Sequence, residues 1–564
     1  MADKQLFGVF SPVLGLQQNF PVILLSKRQL SENSFVRTYN GEIHRLKSSI
    51  VKLKNGATNV QTPDGFPILH YHTFVKRSTG KNYLLVFTKA HIYYWNDATF
   101  ALDLKFTCAS NCTNWETVTY NDEVVATNNV DKVLHSDMSG DFTPLDTASG
   151  IEYSTGLYLT KAKYIIVFEN FLWLGYTTEN GVIKPQRARW SDLGQAGTGN
   201  WKTGDAGSTE IGKGDFIKGF GLYKSFLFVF KQKSIHMYWL AASSDIFNGK
   251  PLSHKIGLLS SHSIINDKDD DLYFLASDYT IRHITEGEIS QAIDPIIKDI
   301  KPSLVEGVNS SFIDEYGSIW WAIPYGTSAT ANNKLISYKE GIWCQSDIVV
   351  NAFGKYLEET DVPFLADLGA DASGYTNALH NTEVGTTEGY FVISTDLMEK
   401  KGLAFYKRIL DLDFYFNNGT YLTGSTVDAA SAAGQKVLNV TATTAFTAGD
   451  KIIINRDGDR EEVGDIASIQ AGVSVTLVAN LTYTHTLAQA DVVEIIGKIT
   501  AYIKRDTEKT WQNMGDVYLY GDGDIIIKHL AVDYRAKTFE IKISATNHFE
   551  FLGILFQFLP AGER

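Results

Sequence analysis

Three runs in the middle of the chain decide how it folds: Ile217-Lys-Gly-Phe-Gly-Leu-Tyr-Lys224, Phe226-Leu-Phe-Val-Phe-Lys-Gln232 and Ser234-Ile-His-Met-Tyr-Trp239. Each has the length of a strand, is rich in aromatic and branched side chains, and ends in a short polar turn. Working outward, the same order of apolar run, turn, apolar run, turn, aromatic run recurs on both sides. Upstream it is read at 68–74, 83–87, 91–97 and 100–104, at 115–122, 123–127 and 132–135, and at 164–170, 171–175 and 186–192. Downstream it is read at 263–267, 272–276 and 279–283, at 310–317, 318–323, 334–338 and 341–344, and more weakly at 362–369 and 375–379.

Units of about 40–50 residues with about four strands each are the sequence form of a propeller blade. One twisted four-stranded sheet cannot bury both its faces alone, whereas a ring of such sheets buries them all. The expected fold is therefore all-β, with a β-propeller of six or seven blades over residues 41–385. A pair of β-sandwiches is the competing arrangement, since it shares short strands and turns. Residues 1–40 show little periodicity; Phe10-Ser-Pro-Val13 and Gln18-Asn-Phe-Pro21 read as extended chain, and the stretch is expected to be an N-terminal arm. After residue 385 an alternating strand series begins at 410–416, resumes at 498–504, and continues through 525–530, 538–543 and 549–558. This is read as a C-terminal β-sandwich-like domain split between 386–418 and 498–564. Between its halves, 419–497 is rich in Ala, Thr, Gly and Val and holds only three aromatic residues, Tyr421, Phe446 and Tyr483. It reads as a small β-barrel-like domain inserted at a loop.

The bulk numbers exclude some functions. Of 564 residues, 51 are Lys or Arg and 64 Asp or Glu, a formal charge of −13. Gripping nucleic acid by a broad field needs the opposite sign, although a wall past which DNA slides should not bind it. Three cysteines, Cys108, Cys112 and Cys344, form no disulfide framework, and Cys108 with Cys112 lacks a second ligand pair at metal-site spacing. The start of the chain lacks a signal-peptide pattern, and no apolar run approaches the ~20 residues of a membrane helix. A soluble protein made in the cytoplasm is expected.

Pro185-Gln-Arg-Ala-Arg-Trp-Ser-Asp-Leu-Gly194, ending at Asn200-Trp201, resembles a blade motif in the tail nozzle (tail hub) proteins of short-tailed bacteriophages. The run Ile217 to Trp239 is similar to the blade that follows in such proteins. Asn40-Gly-Glu-Ile-His-Arg-Leu-Lys47 and Lys537-Thr-Phe-Glu-Ile-Lys-Ile543 are similar to their ends. The resemblance implies a structural virion protein and not an enzyme. It implies a homohexameric ring below portal and adaptor, forming the distal channel through which DNA leaves. Its partners would be further copies of itself, adaptor and portal-side tail proteins, tail fibres or spikes, and transiting DNA that is not bound specifically. No cofactor and no membrane insertion are implied. The 419–497 segment departs from the pattern and could gate the channel or decorate the outside.

Candidate chemistry is sparse. Ser191-Asp192-Leu-Gly194 with Trp201 resembles the Asp-box turn of sialidase-type propellers, which is itself structural. Arg187 and Arg189 alternate on one expected strand, short of the arginine cluster and paired acids of a glycosidase. Asp267, Asp269, Asp271 and Asp278 match part of a calcium loop, but the required glycine is replaced by Leu272. Asp457-Gly-Asp459 and Asp522-Gly-Asp524 suit hairpin turns. His70, His72, His91, His236 and His283 lie in aromatic strands, where His70 and His72 could share a face. No P-loop, dinucleotide motif, nucleophile elbow or zinc-protease helix is present. No catalytic, cofactor or metal residue is therefore assigned. The alternative function is a carbohydrate-binding or glycan-cleaving propeller in host recognition, with Trp190, Trp320 or Trp321 lining a sugar groove; the preferred reading is that these tryptophans are blade-core residues.

Overall fold

The structure, a computed structural model, describes residues 5–10, 35–39, 46–47, 52–54, 60–96, 98–99, 101–212, 214–241, 246–313, 317–346, 349–357, 365–370, 375–380, 387–394, 406–417, 419–489, 491–505, 508–521, 525–536, 538–546 and 549–561. The segments 18–21, 40–45, 362–364 and 522–524 singled out above lie outside them. The described chain is nearly all β, built from many small antiparallel sheets, and its contacts divide it into two compact units, Val51–Thr382 and Met1–Ile50 with Glu383–Arg564.

In the first unit, seven sheets follow one another along the chain. Sheet I is Ile68–Lys76, Lys81–Thr88, His91–Asn96 and Ala101–Thr107; sheet II is Glu116–Tyr120, Glu123–Thr127, Leu134–Ser136 and Thr143–Pro144. Sheet III has five strands, Ile151–Ser154, Leu157–Phe168, Phe171–Glu179, Val182–Trp190 and Gly207–Glu210. Sheet IV is Ile217–Tyr223, Phe226–Lys231, Ile235–Leu240 and Phe247–Ser253, and sheet V is Ile265–Asn266, Leu272–Leu275, Ile281–His283 and Gly287–Glu288. Sheet VI is Asn309–Ile313, Ser318–Ile323, Lys334–Lys339 and Ile342–Ser346. Sheet VII is Ala352–Leu357, Leu365–Ala370 and Tyr375–His380, completed by chain from far upstream, Lys52–Lys54 and Val60–Gln61.

The burial gradient explains the sequence pattern. The second strand of a sheet is covered on both faces, so Phe226–Lys231 and Ser318–Ile323 read as continuous apolar runs. The fourth strands are more exposed, Phe247–Ser253 almost throughout and Ala101–Thr107 at four of its seven positions. Two-residue turns join the first two strands of sheet II and the second and third of sheet III, with positive φ at Asn121 and Asp122 and at Glu169 and Asn170, the backbone that matches strand twist in a tight hairpin.

Cores lie between consecutive sheets. Phe74, Phe87, Trp115 and Val124 join I to II; Tyr120, Val125, Leu172 and Trp201 join II to III; Trp173, Trp190, Phe220 and Val229 join III to IV; Phe230, Leu258 and Phe274 join IV to V. Between V and VI the Trp321 indole N–H donates to the Ser263 carbonyl at 3.2 Å. The first strand of sheet VII lies against that of VI and also against that of sheet I. There Tyr71 fills the space a side chain at Gly354 would need, and the Thr73 hydroxyl donates to the Lys355 carbonyl. The sheets thus touch in chain order, and the seventh returns to the first.

The second unit has two sheets on one core. Gln5–Phe10, Glu550–Ala561, Tyr406–Asn417 and Ile525–Ala536 form one, with Leu46–Lys47 also on Glu550–Ala561; Phe35–Tyr39, Thr387–Ser394, Thr538–Ala545, Lys498–Arg505 and Gln512–Tyr518 form the other. Phe414 and Ile554 from the first meet Ile503 and Ile541 from the second. The N-terminal stretch read as an arm contributes Gln5–Phe10, paired with residues 553–558. Between Tyr406–Asn417 and Lys498–Arg505 stands a six-stranded sheet over 421–496 with its own core of Leu438, Ile452, Ile466, Val475 and Val493.

Candidate functional site

The first strands of sheets I and II present polar side chains to each other. His70 Nε2 and His72 Nδ1 both meet Thr117 Oγ1, at 2.7 and 2.9 Å, and His72 Nε2 meets Thr119 Oγ1 at 2.9 Å. Alternate strand residues share a face, so the spacing of 70 with 72 and of 117 with 119 builds this ladder. His70 also stacks on His262, ring centroids 5.2 Å apart. Burial, and then the neighbouring His262 and His72, hold the His70 imidazole well below its ordinary value, and burial brings His72 down to about 4.

Beyond His262 the polar ladder opens into a cavity of about 400 Å³, bounded by Asn114, His262, Glu306, Asn309 and Asn332. At Asn114 and Glu306 it adjoins a second cavity of about 320 Å³ that reaches Lys163, Tyr164 and Lys218. Glu306 stands on the 3-10 turn Pro302–Gly307 and pairs with Lys218 and, at 3.8 Å, with Lys163. Burial pushes its carboxyl up, but the Lys218 hydrogen bond and the Lys163 charge outweigh this and hold it below the usual range. Desolvation lowers Lys163, with Lys218 adding to it. Glu116 lies 3.5 Å from His262 Nε2. The charges of Glu306, Lys163 and Lys218 are therefore spent on one another.

No protein-family model matches this chain, and no curated protein sequence matches it significantly.

The other sequence-selected residues are dispersed. Arg187 and Arg189 do share one side of Val182–Trp190, but both face the buried Glu179, with N–O distances of 3.2 Å, and Arg187 also binds Glu210. Asp192 accepts from the backbone of Leu193 and Asp205, and Trp201 is buried with its indole on the Ala196 carbonyl. Asp267 accepts from the backbone N–H groups of Asp269 and Asp271 inside one turn, whereas Asp278 binds Thr280 and Arg282 on the next, so the calcium-loop pattern does not assemble. Asp457 has positive φ in the turn joining Lys451–Ile454 to Glu462–Gln470. His91 pairs with Asp64 at 2.8 Å, His236 stands apart with its ring lowered by burial, and His283 lies beside Asp271 at 3.4 Å. Cys108, Cys112 and Cys344 form no disulfide, and no cluster of three or more metal-ligating side chains occurs among the described residues. Trp190, Trp320 and Trp321 are buried, as expected of core residues, and line no sugar groove.

Sequence reading missed Asn114, Lys163, Lys218, His262, Glu306, Asn309 and Asn332. Lys218 carried the clearest signal: it interrupts the apolar run Ile217–Tyr223, and a charge in such a strand needs a partner. The asparagines lay in loops or at strand starts, indistinguishable from ordinary turn residues.

Proposed function

We propose that this chain is a structural subunit of a phage tail nozzle, in which seven sheets form a seven-bladed propeller and the second unit is a β-sandwich carrying the inserted domain. The observation that carries the reading is the order of contacts: each sheet packs on the next, and the seventh, completed by N-terminal strands, packs on the first. A cycle of this kind buries both faces of every sheet without edge-to-edge exposure. The sequences that resemble nozzle blades fall within it, at the end of sheet III and through sheet IV. The mechanism is mechanical and electrostatic. β-rich subunits form a homohexameric ring in the virion tail, joined to adaptor proteins above and carrying fibres or spikes, and a net charge of −13 per chain lets DNA pass without sticking.

Supporting a structural and not a catalytic role, the strongest ionisable groupings hold the fold together: Glu179 with Arg187 and Arg189, and Glu306 with Lys163 and Lys218. No helix among the described residues is long and apolar enough to cross a membrane. Native mass spectrometry of the full chain tests the proposal. A hexamer, alone or with an adaptor ring, is the expected result. A monomer that stays monomeric at micromolar concentration and joins no ring overturns it.

A further inference from the structure

We infer that the cavity bounded by Asn114, Asn309 and Asn332 binds a neutral polyhydroxylated ligand, a sugar ring whose hydroxyls donate to three fixed amide oxygens. This goes beyond the structural role and does not depend on ring assembly.

Hydrogen bonding fixes which atom of each amide faces the wall. Asn332 places Nδ2 2.8 Å from the Gly307 carbonyl, which can only accept, so the nitrogen is fixed there. Asn114 directs Nδ2 to the Glu116 carboxylate at 3.3 Å and to Ser261 Oγ at 3.4 Å; a carboxylate again only accepts. The Asn309 amide is fixed through His262. Its Nε2 lies 2.8 Å from the Trp115 carbonyl, so Nε2 carries the proton, and in the neutral ring Nδ1 is the lone pair. Asn309 Nδ2 is 3.4 Å from that Nδ1 and donates to it. In all three residues the N–H₂ group is committed to the wall. Each Oδ1 is left without a protein donor among the described residues, although Asn309 and Asn332 are only 7% and 4% exposed.

Three preoriented acceptors at the edge of one space call for a ligand with several donors. An organic ammonium or a metal cation would also supply donors or charge, but Glu306, the carboxylate at the cavity wall, is already paired with Lys218 and Lys163, and Glu116 stands behind Asn114, whose Nδ2 it accepts. That balance favours a neutral ligand, since a desolvated charge without a counter-charge is costly. The volume of about 400 Å³ falls in the roughly 300–1,000 Å³ range of small-molecule sites. Leu69 and Leu304 give the apolar walls that the C–H face of a sugar covers, and Ser261 Oγ, in the adjoining cavity, supplies a donor for its oxygens. A free saccharide and the terminal residue of a glycan present the same hydroxyls, so the test carries both.

Saturation-transfer NMR on the full chain with D-glucose, maltose, dextran, ethanolamine and acetate decides the matter. Transfer to at least one of the three carbohydrates, unchanged between low and moderate salt, is expected; transfer to dextran alone assigns the site to glycan ends. Asn114→Ala, which removes one amide from a half-buried position, should weaken binding about threefold to tenfold. Thr330→Trp, from an exposed residue at the cavity lining, should abolish it while the circular dichroism spectrum is retained. Transfer to none of the carbohydrates, preferential transfer to ethanolamine or acetate, or carbohydrate transfer that survives Thr330→Trp overturns the inference.

Discussion

Glu179 is 3% exposed and meets two guanidinium groups, with Arg189 also stacked 4.0 Å over the Tyr153 ring. A buried pair of this kind adds little net stability, because desolvation offsets attraction, but removing one partner strands the other. Glu179→Gln should therefore cost about 3–5 kcal/mol, measured by urea unfolding. Replacing Glu179, Arg187 and Arg189 together by Leu, Met and Met should recover most of that loss. A Glu179→Gln protein as stable as the parent would show that the trio is solvated. His72 makes a second residue-scale prediction. Unfolded imidazole protonates near 6.5, whereas the folded ring resists until about 4. Between these values the unfolded chain holds the extra proton, so stability falls as pH is lowered through that window. The urea midpoint should drop between about pH 7 and about pH 4.5, and His72→Asn, which keeps a polar group beside Thr117 and Thr119, should lessen the drop. A parallel loss in both proteins would place the acid sensitivity elsewhere.

At the scale of elements, the inserted sheet is closed off at its base by three backbone bonds, from Gly497 N to the Thr420 carbonyl at 2.7 Å, from Thr420 N to Leu519 at 2.8 Å, and from Leu519 N to Gly497 at 2.8 Å. Chain ends held this close allow excision. Replacing 421–496 by a short Gly-Ser linker should leave the rest folded, with the remaining thermal transition unchanged. Inside the insert, His485 is fully buried and both ring nitrogens face carboxylate oxygens at 2.7 Å, of Asp491 and Glu462. Arg460 supports Asp491 at 2.9 Å, and the Asp491 carboxyl, which burial alone would raise, is held below its usual range by Arg460 and His485. His485→Leu leaves two carboxylates short of their partner and should raise hydrogen exchange across 421–496 only. Protection lost throughout the protein would mean that the insert is not an independent element. The insert was legible in sequence because its composition changes sharply at both ends and its Val and Ile runs alternate with turns. The outer strands Thr143–Pro144, Gly207–Glu210 and Gly287–Glu288 were not: short strands at a sheet edge carry no hydrophobic period, and their place is set by the neighbour to which they pair. The cavity was hidden for a related reason, since residues 114, 262, 309 and 332 come together only when separate sheets pack.

For the molecule as a whole, the informative feature is how its ends are shared. Gln5–Phe10, Phe35–Tyr39 and Leu46–Lys47 pair within the second unit, whereas Lys52–Lys54 and Val60–Gln61 complete sheet VII of the first. Lys52-Leu-Lys54 has no signal in sequence: two lysines around one leucine suit an edge strand, whose charges discourage stray pairing, and equally a surface loop. Yet it pairs with Tyr375–His380 across more than three hundred residues of chain, register Lys54 to Ala378 and Lys52 to His380. A contact so distant in sequence forms late and costs loop entropy. Two truncations separate its roles. Removing residues 1–50 takes strands only from the second unit and should leave the thermal transition of the first in place. Removing 1–61 also takes the last strand of sheet VII, bares the edge of Tyr375–His380, and should lower the first unit's transition and promote association through that edge. If the two truncations behaved alike in light scattering and calorimetry, the closing strand would carry no weight in holding the seventh sheet to the cycle.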